Sequence, residues 1–290
     1  MQSVNPISQI MKHLFKALLI LALLAAASCQ QKAGEELSLP FEKYQLDNGL
    51  NVILHQDKSD PIVSVAIYYH VGSNREVPGR TGFAHLFEHM MFQQSENVPE
   101  DQYFSLIQNA GGTLNGSTNQ DRTNYYETVP KNALEMVLWM ESDRMGYLTN
   151  TITKQAFAIQ QNVVQNEKRQ NYDNRPYGHS STVMARAMFP ADHPYSWTTI
   201  GEMKDLFNAT VEDVKEFHGR FYIPNNATLA IAGDFEAEEA KALVQKYFGE
   251  IPKGPEVAKL TPMPVTLPET KKLFHEDNFA NTAQFTMAFP

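Results

Sequence analysis

The sequence predicts an α+β domain over residues 41–250, and three observations predict it. Strand-like and helix-like runs are interleaved along this stretch. Turn residues such as Asp47-Asn48-Gly49 punctuate the strand-like runs. Capping signals bound the helical ones, with Thr210 and Asp213 opening one helix and Gly249 closing another.

The elements follow in chain order. Tyr44-Gln45-Leu46 and Leu50 to Leu54 flank the Asp47-Asn48-Gly49 turn and predict a hairpin. In Ile62 to Val71 both alternating sets are largely apolar, which predicts an inner strand buried on both faces. Gly72 to Arg80 is a loop, and a helix follows over residues 82–92. Gln102 to Ala110 is a short helix stopped by Gly111-Gly112. Thr113 to Thr118 is extended, with small polar side chains, and Arg122 to Val129 is a strand. Asn132 to Met145 is a helix, because Leu134, Val137, Leu138, Met140 and Met145 recur at helical spacing. A long helix starts at Thr153. Thr210 caps another that runs to Phe221, Ala227 to Ala232 is a strand, and Ala237 to Phe248 is a helix. Residues 251–268 carry Pro252, Pro255, Pro262, Pro264 and Pro268 and read as a linker. Beyond it, Lys272 to His275 and Gln284 to Phe289 read as two strands that begin a second unit, truncated at residues 269–290.

A net charge of −9 over 290 residues argues against nucleic acid as the main partner. The N-terminus reads as an address. Lys12 and Lys16 precede an apolar run from Ala17 to Ala27, which ends in Ala26-Ala27-Ser28-Cys29. That is a secretory signal over residues 1–28, too short for a comfortable membrane span. Residues 1–10 lack signal character, so Met11 is a second candidate start. Small residues directly before a cysteine form a bacterial lipobox; the alternative is an ordinary signal with a chance cysteine. Cys29 is the only cysteine, so it forms no intrachain disulfide and stands where a lipid would be attached. The expectation is an exported bacterial lipoprotein, anchored in a membrane through lipidated Cys29 on the periplasmic or cell-surface side. Residues 29–40 would be its tether. Removing the signal takes away two lysines, Lys12 and Lys16, and no acid, so the mature surface gives the anchor no basic help.

The chemistry is concentrated in His85-Leu86-Phe87-Glu88-His89. On a helix, His85 and His89 lie one turn apart on one face and can share a Zn²⁺ ion through nitrogen. Glu88 is also one turn from His85 and can take a proton from water. The order is the inverse of His-Glu-x-x-His. The same stretch also reads as an amphipathic core helix, with Phe83, Leu86, Phe87, Met90 and Met91 apolar. The motif alone leaves both readings open.

A catalytic zinc takes a third protein ligand. His55, His70, His179, His193 and His218 each fit a surface or internally satisfied histidine better than a ligand. Glu167 extends the helical stripe of Ala156, Ile159 and Val163, and no other acid occurs between Asp143 and Glu167. A carboxylate on an apolar stripe needs a cation, which a metal would supply. Solvation beside Lys168 or Arg169 is the equal alternative.

Several segments in order resemble the M16 zinc metallopeptidases, the family of pitrilysin, insulysin and the mitochondrial processing peptidase. They include Leu46-Asp47-Asn48-Gly49-Leu50, Val71-Gly72-Ser73 and Gly82-x-Ala84-His85-Leu86-x-Glu88-His89. They continue with Gly112-x-x-Asn115-Gly116-x-Thr118, Asp121-x-Thr123-x-Tyr125-Tyr126, Val163-Val164-x-Asn166-Glu167 and Asp173-Asn174-x-Pro176-Tyr177-Gly178. The last is Pro224-Asn225-Asn226-Ala227-x-Leu229-x-Ile231-x-Gly233-Asp234.

The resemblance implies a two-layer α+β unit, with a mixed, mostly antiparallel sheet and helices packed on one face. It implies one zinc held by His85, His89 and Glu167, with Glu88 as general base. It implies that the strand carrying Leu114, Asn115 and Gly116 is an edge that takes a peptide substrate by strand addition. Where the family often has Glu, seven residues before the third ligand, this chain has Gln160, so support behind the ligands would differ from the family's; where it often has Ala, this chain has Gly116, which would loosen the edge strand. Family members close a chamber between two homologous halves. This chain would be the first half of a zinc endopeptidase, incomplete without a second half from the same gene or a partner subunit. The alternatives are a non-catalytic peptide-binding or chamber subunit, and an unrelated lipoprotein with a chance motif.

Overall fold

Alternating apolar residues close a six-stranded sheet on one side, and amphipathic helices cover that side. A computed structural model of the protein describes residues 38–289, so the signal segment and Cys29 lie outside the described residues. The strands are β1 (Glu42–Gln45), β2 (Asn51–Gln56), β3 (Ile62–Tyr69), β4 (Thr113–Thr118), β5 (Thr123–Pro130) and β6 (Ala227–Gly233). They are ordered β1-β2-β6-β3-β5-β4. Only β2 and β6 pair in parallel; the other four pairings are antiparallel. The helices among the described residues are α1 (Phe83–Met90), α2 (Gln102–Asn109), α3 (Leu134–Gly146) and α4 (Lys154–Lys168). They continue with α5 (Ser180–Met188), α6 (Met203–Asn208), α7 (Val211–Phe221) and α8 (Ala237–Phe248). This is the mixed, mostly antiparallel α+β architecture that the resemblance implies.

Local signals act as their chemistry requires. Gly49 takes φ +92° in the β1–β2 turn, a conformation that glycine adopts without strain. Thr210 and Asp213 form a reciprocal capping box at the start of α7. Thr153 caps α4 by accepting from the Ala156 amide.

Three expectations are corrected. Strand β3 is internal, between β5 and β6, but only Val63, Val65, Ile67 and Tyr69 are buried. Ile62 and Tyr68 are 45% and 42% exposed, because among the described residues no layer covers that face. On α4, Ala156 is buried as expected, whereas Ile159 and Val163 are exposed. The buried stripe runs through Phe157 and Val164, about a quarter-turn round, which leaves Glu167 at its border. Finally, residues 272–275 and 284–289 form no strands. Among the described residues no strand pairs with them, and Phe274 and Phe285 are almost fully exposed.

Candidate metal centre

Burial decides which way α1 faces. Phe83, Leu86, Phe87 and Met90 point into the core, and this turns His85, Glu88 and His89 toward α4 and β4. Phe157 and Val164 anchor α4 in the same way and bring Glu167 over α1. The helix then widens into a π-helical turn at Arg169–Asp173, a local distortion often found beside functional groups. A cleft of about 600 Å³ opens next to Glu167, lined by Tyr172, Arg175, Tyr177 and Met184 among others.

Three of the residues singled out from the sequence converge. His89 Nε2 lies 3.3 Å from Glu167 Oε2, and His85 Nε2 lies 3.6 Å from the same oxygen. The three donor atoms lie within 4.8 Å of one another and form the one such cluster among the described residues. Tetrahedral zinc with bonds of about 2.0–2.1 Å holds its ligands roughly 3.3 Å apart, so the donor set fits the ion. Burial, and then the neighbouring His89, push the His85 imidazole down to about 4. It is therefore neutral at pH 7, with a lone pair to give. The hydrogen bond with His89 holds the Glu167 carboxyl below its usual range.

Glu88 is half-buried beside this triangle, and burial pushes its carboxyl up. The Thr118 hydroxyl donates to Glu88 Oε2 at 2.5 Å, and a second hydroxyl, of Thr123, lies 3.4 Å behind it. The sequence reading gave Thr118 no role. Strand alternation could have found it, since Thr118 shares the helix side of β4 with Leu114 and Gly116.

Strand β4 is an outer edge of the sheet. Asn115 faces away from the helices, and its Oδ1 accepts from the Gly116 amide at 2.8 Å. Strand β4 pairs with β5 along its length, with Gly116 opposite Tyr125. A Cβ there would come 3.0 Å from the Phe92 ring, so the glycine makes room for that ring. Gln160 makes no hydrogen bond to either imidazole among the described residues and donates to Gln93. His85 Nδ1 is buried without a hydrogen-bond partner among the described residues. The other described histidines lie outside the cluster: His55 bonds the Pro40 carbonyl, and His218 stacks on Tyr222.

Two imidazoles and a carboxylate thus converge on one point of an α+β scaffold, with the half-buried Glu88 alongside. Comparison with known proteins agrees. The family described as Insulinase (Peptidase family M16) matches residues 51–191, and the Peptidase M16 inactive domain matches residues 208–290. The zinc protease PqqE of Helicobacter pylori is 32% identical over 222 residues, which are 76% of this chain and 49% of that protein. The crystal structure of a protease from Helicobacter pylori superposes with a TM-score of 0.73 at 32% identity, over 78% of this chain and 54% of that one. The periplasmic protease PqqL of Escherichia coli shares the fold, with a TM-score of 0.71 at 24% identity, over 79% of this chain and 26% of that one. The chain belongs to peptidase family M16. It spans about half the length of the Helicobacter pylori relative and less of larger ones.

Proposed function

We propose that the protein is a zinc-dependent endopeptidase acting on peptides or unfolded polypeptides, with one zinc bound by His85, His89 and Glu167. The observation that supports this most is the convergence of two Nε2 atoms and one carboxylate oxygen from separate helices, in a chain of a peptidase family. Zinc bound there would supply Lewis-acid chemistry, making water easier to ionise and polarising the scissile carbonyl. The chain's own residues do the rest. Glu88 takes the proton of the attacking water and returns it to the leaving amine. Thr118 holds one Glu88 oxygen and leaves the other free for that transfer.

The β4 edge offers the peptide a backbone to pair with. In this reading Asn115 gives up the Gly116 amide to a substrate carbonyl, with Leu114 and Gly116 completing the strand. The relatives' greater length supports a second M16-type half as the opposite wall of the cleft. Export and a lipid anchor at Cys29 complete the proposal, supported by the signal pattern and by a relative described as periplasmic.

The test compares hydrolysis of one unfolded peptide by this chain and by a product of the relatives' full length from the same gene. The longer form is expected to cleave it, to stop with a chelator and to recover with zinc. This chain is expected to be far slower, because substrate positioning contributes several kcal/mol to catalysis. A long form that binds zinc and peptide but never cleaves would make the protein a binding subunit. Equal kcat/KM for the two would remove the second half from the site.

A further inference from the structure

Glu76 is a buried acid that the proposed chemistry does not use. It lies in the loop after β3 and, among the described residues, pairs with no lysine or arginine. Burial pushes its carboxyl up to about 8, against the pull of backbone hydrogen bonds, so its place costs stability. Its contacts show what it does there. Glu76 Oε2 accepts from the Gly82 amide at 3.0 Å, and Oε1 accepts from the Ala84 amide at 2.8 Å. These amides belong to the first turn of α1, whose donors have no partner within the helix. The usual cap is a side-chain oxygen on the N-cap residue, but here that residue is Gly82, at φ +87°. Glu76 supplies the missing oxygens from six residues upstream.

The residue after Ala84 is His85. A ligating imidazole is ordinarily oriented by a hydrogen bond on its second nitrogen. His85 Nδ1 is buried and has none among the described residues, and Gln160 is turned to Gln93. The position of this imidazole therefore depends on the frame of α1. Glu76 fixes that frame one residue away.

We propose that Glu76 is a positioning residue for the metal centre: its two carboxyl oxygens cap α1 and hold His85 at ligand distance from His89 and Glu167. The proposal rests on the zinc reading above. A second acid provides the control. Asp205 accepts from the Thr81 amide at 3.1 Å and the Thr81 hydroxyl at 2.6 Å, so it anchors the residue before the N-cap and bonds no α1 amide.

The experiment measures zinc affinity of the full chain by competition with a chelator, for wild type, Glu76→Gln and Asp205→Asn, with circular dichroism to confirm folding. Glu76→Gln is expected to bind zinc at least roughly tenfold more weakly while folded. Asp205→Asn is expected to lower stability and to change zinc affinity less than about threefold, within the scatter of unrelated contacts. A folded Glu76→Gln with wild-type affinity, or an equal loss in both variants, overturns the assignment. Wild type without zinc affinity would instead overturn the metal reading on which it rests. If Glu76→Gln does not fold, amide hydrogen exchange in the zinc-free wild type decides. Protected Gly82 and Ala84 amides support the cap, and exchange as fast as in an exposed loop overturns it.

Discussion

Two acid-containing clusters sit on the helical side of the sheet, and they differ in one respect. In the first, Arg144 of α3 is fully buried between Glu127 and Glu141, with its guanidinium over the Tyr125 ring at 4.4 Å. Burial, and then Glu141, push the Glu127 carboxyl well up, so the two acids share their charge around one resident cation. In the second, His85, His89 and Glu167 converge with no lysine or arginine of the described residues among them. The first cluster holds its own cation. The second has the donor set and spacing for an ion from outside. The difference teaches that an acid facing the interior is informative once its counter-charge has been sought: Glu141 finds Arg144, and Glu167 finds no lysine or arginine among the described residues.

The largest expected effect is on chemistry. Glu88→Gln keeps the shape beside Thr118 but cannot accept a proton, so the full-length product should lose on the order of 10²–10⁴ in kcat while keeping its zinc. Near-normal turnover would remove Glu88 from its role. Next comes the first cluster. Arg144→Met strands two buried carboxylates and should cost about 3–5 kcal/mol, read by denaturant unfolding. Zinc stoichiometry of whatever folds should be unchanged, and if zinc were lost in proportion the two clusters would be one. The smallest effect sharpens the second cluster. Thr118→Val removes one hydrogen bond to an ionised group, which is worth about 1.5–3 kcal/mol. It should slow kcat roughly tenfold or more with little change in KM. A rise in KM alone would move Thr118 to substrate binding.

Much of this arrangement was legible in the sequence, for physical reasons. His85, Glu88 and His89 could be placed together because helical spacing is local. The Asp47-Asn48-Gly49 hairpin and the Thr210 cap are local as well. Glu167 was harder. Its stripe neighbours Ile159 and Val163 are exposed, and only packing of α4 on α1 brings the carboxylate to the imidazoles. The parallel pairing of β2 with β6 joins segments far apart in the chain, which periodicity cannot reveal. Residues 178–209 hold α5 and α6, yet they carry few apolar repeats to announce a helix. Glu76 left a faint signal: it is the only acid between Asp60 and Glu88, and it stands ahead of a helix whose N-cap is glycine.

The central claim is that the second cluster is a zinc site closed by Glu167. Metal analysis of the purified chain and of Glu167→Gln tests it most directly, because the substitution keeps size and removes only the charge and donor strength of the third ligand. One zinc per wild-type chain, with most of it lost from a folded Glu167→Gln, is the expected result. Equal zinc in both proteins would contradict the account.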